Sequence, residues 1–138
     1  MEFETFLIRL GAAFLSGILI GLEREMKNKK AGMRTNTLVA IGAAVYVLIA
    51  IILSDTDSGA AARVVGQVVT GIGFLGAGVI LHRESDVIGI TTAATIWCSA
   101  AMGCLSAFGM FKELAACTLM ILIVNGGMMI IEERFYKK

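Results

Sequence analysis

The chain has 138 residues, 57% of them hydrophobic and only 17% charged, with no proline and a mean hydropathy of +0.83. Twelve Lys and Arg against eleven Asp and Glu leave a net charge of +1, and no basic stretch stands out beyond one short loop, which argues against a nucleic-acid binder. The three cysteines, Cys98, Cys104 and Cys117, lie in apolar stretches without CxxC spacing, which excludes a secreted disulfide scaffold.

A bilayer core about 30 Å thick is crossed by roughly 20 apolar residues in a helix. Phe3 to Leu22 is the first such stretch; it carries Glu4 and Arg9 and runs directly into Glu23-Arg24-Glu25. Its acidic start and the lack of a small-residue cleavage site read as a retained span, not a signal peptide. Thr37 to Leu53 is the second and holds no charge. Val64 to Leu81, Ile90 to Phe108 and Leu114 to Ile131 follow. The expected fold is all-α, an integral membrane bundle of five transmembrane helices forming a single domain over residues 1–138, with no soluble C-terminal domain. Short charged connections imply antiparallel neighbours. Nine basic residues fall on the side of the first loop, the third loop and the tail, against three on the other. That asymmetry predicts an outer N-terminus and a cytoplasmic C-terminus.

Glycine dominates the third span: Gly66, Gly71, Gly73, Gly76 and Gly78. Residues 71–76 spell GxGxxG, but within an apolar helix the strand-to-helix context of a dinucleotide site is missing. As a helix, Gly66, Gly73 and Ala77 share one face while Gly71 and Gly78 lie on another. Two small faces predict tight packing on both flanks and a central place for this span. Gly17 and Gly21 form GxxxG in the first span and suit the same packing role.

Polar residues collect at helix ends. Glu23, Arg24 and Glu25 end the first span, Arg34 and Thr35 lead into the second, and Thr91 and Thr92 open the fourth. All fall at the predicted cytoplasmic side, and their convergence marks a candidate cation or partner site. Carboxylates with hydroxyl oxygens suit Mg²⁺, so Glu23 and Glu25 are the candidate metal ligands and Arg34 their balancing charge. An outer polar cluster comprises Asp55, Asp57, Arg63 and Gln67. Asn125, beside Gly126 and Gly127, is expected to bond across a helix contact. Arg9 is expected to snorkel outward, and Trp97 to pack inside. No Ser–His–Asp set, HExxH, P-loop or Cys/His cluster occurs, so no enzyme is expected and no cofactor is required.

Taken in order, Gly17-x-x-x-Gly21-x-Glu23-Arg24-Glu25, Ala31-Gly32-x-Arg34-Thr35, Arg63, residues 71–78 and Gly89-x-Thr91-Thr92-Ala93-Ala94-Thr95-x-Trp97 resemble the MgtC/SapB membrane domain. The likeness covers about Leu7 to Ile131. It implies a multi-pass protein of the bacterial inner membrane, linked to growth in low Mg²⁺ and to virulence. It further implies a regulator of another membrane complex such as the ATP synthase, with a magnesium or other cation transporter as the alternative. Longer members carry a soluble C-terminal domain that this chain is expected to lack. The expected partners are the lipid bilayer, further copies of the chain in a homodimer or higher oligomer, and a second membrane protein.

Overall fold

The computed structural model describes residues 1–53, 59–83 and 86–136, with the side chains of 82, 83, 86 and 129–136 left aside. Five helices form: α1 (Phe3–Met26), α2 (Met33–Leu53), α3 (Ala60–Val79), α4 (Ile90–Ala107) and α5 (Phe111–Tyr136). Each contains a stretch long and apolar enough to cross a membrane. Between α3 and α4 lies a short antiparallel hairpin, β1 (Leu81–Arg83) with β2 (Asp86–Ile88), pairing Leu81 with Ile88. The third predicted span therefore ends two residues early, and Leu81 belongs to a strand.

The helix ends are set by local chemistry. At the end of α1, Lys29 N donates to Arg24 O (2.9 Å) and Asn28 N to Glu25 O (3.0 Å), with Asn28 at φ 52. This is a Schellman closure, with asparagine taking the left-handed position. At the end of α4 the same pair of bonds recurs, Met110 N to Leu105 O and Gly109 N to Ser106 O, with Gly109 at φ 73. The guanidinium of Arg9 then donates to Ala107 O at 2.7 Å, placing a cation on the negative end of α4 instead of snorkelling outward.

The core is built from α1, α2 and α4, which pack on one another. Small residues recur every fourth position on each: Ala13, Gly17 and Gly21 on α1, Ala40 and Ala44 on α2, Ser99, Gly103 and Ala107 on α4, all buried. A Cβ added at Gly17 would sit 2.6 Å from Thr37 Cα, at Gly21 2.4 Å from Met33 Cα, and at Gly103 2.1 Å from Ala40 O. Backbones meet directly at these points, as lipid-embedded helices do when close packing replaces a hydrophobic drive.

The third span is not central. Only 17% of its most apolar window is buried, against 56% for α4. A Cβ at Gly66, Gly71, Gly73 or Gly78 would meet nothing within 4 Å, and only Gly76 touches a neighbour, Ala93 Cβ of α4 at 3.6 Å. These glycines leave α3 with an open small-residue surface. Trp97 is also turned outward, half exposed, in contrast to the packing expected of it.

Candidate functional site: a buried polar network at one end of the bundle

The end of α1, the start of α2, the start of α4 and the second half of α5 converge on one set of polar side chains. Arg24 is only 4% exposed, and its Nη2 donates to the Thr92 hydroxyl across 2.8 Å. Thr92 is likewise buried. A charged side chain held inside a membrane bundle is expensive unless partnered, yet among the described residues Nε of the same guanidinium has no hydrogen-bond partner.

Lys27 lies one turn beyond Glu23 on α1, with Nζ 3.1 Å from Glu23 Oε1. The ammonium aims its hydrogen bonds elsewhere, at Gly126 O (3.1 Å) and Asn125 O (3.3 Å) of α5. Gly126 makes this approach feasible, since a Cβ there would stand 3.4 Å from Nζ. Both Glu23 carboxylate oxygens are buried and accept no hydrogen bond among the described residues. Glu25 turns the other way: its Oε2 accepts from Met33 N at 3.1 Å, so an anion caps the positive end of α2.

Deeper in the bundle, Asn36 is fully buried and locks two helices together. Its Nδ2 donates to Ala31 O and Gly32 O, closing the turn into α2, and its Oδ1 accepts from Ser99 Oγ of α4 at 2.8 Å. Asn125 Nδ2 donates to Thr95 Oγ1 at 3.3 Å, the cross-helix bond expected of an amide in a span. From Thr92 to Ser99 these groups penetrate about 10 Å along α4, at 1.5 Å per residue.

Of the predicted cluster, the structure joins Arg24 to Thr92 and sets Glu23 beside them. Arg34 and Thr35 are exposed and stay apart from this network, while Thr91, also exposed, stands beside Arg24 and Thr92 at the rim of the site. The charge facing Glu23 is Lys27 and not Arg34, because a residue one helical turn away is already within reach. Glu23 and Glu25 take different partners, and among the described residues no three of His, Cys, Asp and Glu group to hold a metal ion. Of the outer cluster, Asp55 and Asp57 lie outside the described residues, while Arg63 and Gln67 are exposed on α3. Gln67 lines a groove of about 620 Å³ between α2 and α3, otherwise walled by residues such as Leu38, Tyr46 and Leu75.

Asn36 and Ser99 were not evident as a pair from the sequence. Asn36 falls before the apolar run of its span, and Ser99 reads as one more small residue in α4. Their signal is that each is a hydrogen-bonding group one or two turns into a helix, where lipid offers no partner.

The MgtC family model matches residues 10–134. The chain is 48% identical over 120 residues to Protein MgtC of Salmonella typhimurium strain LT2, covering 87% of this chain and 51% of that protein. It is 49% identical over 116 residues to Protein MgtC of Brucella abortus strain 2308 (84% and 48%). An uncharacterized protein of Synechocystis, slr0014, is 46% identical over 125 residues (91% and 53%). The chain thus spans about half the length of these curated relatives. No solved structure matches it.

Proposed function

This chain belongs to the MgtC family, and from that premise we propose that it is a non-enzymatic regulator of another membrane complex during magnesium limitation. Its setting on this reading is the bacterial inner membrane, and its target is an ion-translocating assembly such as the ATP synthase. One observation carries the preference for a regulator: the charged groups of the network, Glu23, Arg24 and Lys27, stop at one end of the bundle. Beyond them the interior is packed by Ala13, Ala44, Val47, Leu48 and Ala107, each fully buried. A cation path needs polar side chains or free carbonyls along its length, and this apolar layer offers neither among its side chains.

The second reading, a magnesium or other cation transporter, is favoured by Glu23, a buried carboxylate whose oxygens accept no hydrogen bond among the described residues. Self-association is part of the proposal. The open glycine surface of α3 fits a second copy in a homodimer or higher oligomer.

The regulatory reading is tested in inverted membrane vesicles from magnesium-starved cells with and without the chain. ATP-driven proton pumping is expected to fall when the chain is present. Pumping that is the same with and without it contradicts an action on that complex.

A further inference from the structure

A cavity of about 640 Å³ opens between the end of α1, the hairpin, α4 and α5, and its polar wall consists of Arg24, Lys29, Thr91, Thr92 and Asn125. Among the described residues the two charges on that wall are both positive. Of the neighbouring carboxylates, Glu23 lies 3.1 Å from Lys27 and also faces the charge of Arg24, and Glu25 accepts from the amide of Met33 at 3.1 Å. Among the described residues no carboxylate forms an ion pair with Arg24 or Lys29; the side chains of Glu84, Asp86, Glu132 and Glu133 lie outside the described ones.

Three observations point to what belongs there. Arg24 is 4% exposed and lines the cavity, with Thr92 its one hydrogen-bond partner among the described residues. Its burial is offset by one neutral hydrogen bond and by the charge of the neighbouring Glu23, and a further anion in the cavity compensates more of the desolvation. Second, α4 begins at this cavity without a side-chain cap, because its N-cap residue is Gly89 at φ 96. The first amides of a helix have no intrahelical acceptors, and together with the helix dipole they favour a negative charge. Third, Thr92 spends its oxygen as acceptor for Arg24, and a hydroxyl in that role keeps its proton to donate.

We propose that this cavity binds a phosphate group, gripped by the edge of the Arg24 guanidinium that lines it, the Thr92 hydroxyl and the first amides of α4, with Lys29 at the mouth. The guanidinium fork and backbone amides match phosphate oxygens in number and direction. The group arrives either as free phosphate or as the headgroup of an acidic lipid, since the site stands where a helix leaves the membrane. The site does not rest on the regulatory reading, because a transporter would present the same cavity.

The test is calorimetric titration of the purified chain in phosphate-free detergent with three probes: inorganic phosphate, dihexanoyl phosphatidic acid and dihexanoyl phosphatidylcholine. Saturable heat is expected with inorganic phosphate, phosphatidic acid or both, at least tenfold weaker in Lys29→Ala and lost in Arg24→Gln. Binding of phosphatidic acid alone identifies a lipid headgroup as the source, and binding of inorganic phosphate identifies the free ion. Lys29→Ala, whose side chain is exposed, keeps the test decisive if Arg24→Gln does not fold. No saturable binding, equal binding of the phosphatidylcholine, or binding unaltered in Lys29→Ala overturns the proposal.

Discussion

Arg24 and Thr92 are 68 residues apart in sequence and 2.8 Å apart in space, tying the last turn of α1 to the first turn of α4 inside the bundle. Thr92 is the only hydrogen-bond acceptor that the described residues offer this guanidinium. Thr92→Val keeps the shape and removes that acceptor, and is expected to cost about 1–3 kcal/mol, the penalty of an unsatisfied buried group. Thr91→Val, at an exposed hydroxyl on the same turn, is expected to cost well under 1 kcal/mol. Denaturant unfolding in detergent micelles measures both, and equal losses would contradict the assignment.

The Asn36–Ser99 contact joins α2 to α4 at 2.8 Å. Ser99→Ala leaves Asn36 Oδ1 without its donor and is expected to destabilise by about 1–3 kcal/mol. In the double variant with Asn36→Leu the two losses should fall short of their sum by 0.5 kcal/mol or more, as contacting residues do. Strict additivity would mean that the two side chains act separately.

Gly103 and Gly73 are both glycines in spans, yet their surroundings are opposite. Gly103→Val drives a side chain into the Ala40 carbonyl, and overpacking of this kind costs about 1–3 kcal/mol or more. Gly73→Leu meets open space within the chain, so the fold is expected to hold while the oligomer dissociates or shrinks. Melting temperature and size-exclusion light scattering, read together, separate the effects. Unchanged oligomer size in Gly73→Leu removes α3 as the contact between copies.

Gly89 stands at φ 96, where a Cβ would come 2.2 Å from Val79 O. Gly89→Ala therefore combines a disfavoured backbone with a clash against the end of α3, and is expected to cost on the order of 1–3 kcal/mol. Because this glycine aims the start of α4 at the polar network, nuclear magnetic resonance shifts at Thr92 should move with it. A variant as stable as the parent would contradict the strained turn.

Much of this architecture is legible in the sequence because lipid admits so few alternatives. Five long apolar stretches imply five helices, since backbone amides inside a membrane must be bonded within their own segment. The ends were harder. Helix α1 runs to Met26 and α2 begins at Met33, each extending four residues into charged sequence beyond the apolar boundary. Hydropathy stops at the charges, while helix geometry continues until Asn28 closes it and Glu25 caps its successor.

The site was half legible. Convergence of the helix ends follows from topology, and it led to Arg24 and Thr92. Their pairing depends on rotation about the helix axes, which also turns Arg34, Thr35 and Thr91 outward. Glycine number misled for α3: small residues allow close approach without saying whether the partner lies in the same chain. The better signal was four-residue spacing shared by several helices, as in Ala13-Gly17-Gly21 and Ser99-Gly103-Ala107.

The account turns on regulation against conduction. The direct test is Mg²⁺ entry into indicator-loaded proteoliposomes carrying the folded, inserted chain or its Glu23→Gln variant. The account predicts flux no higher than in protein-free liposomes for either. Saturable Mg²⁺ entry that Glu23→Gln abolishes would contradict it and place the buried carboxylate on a transport path.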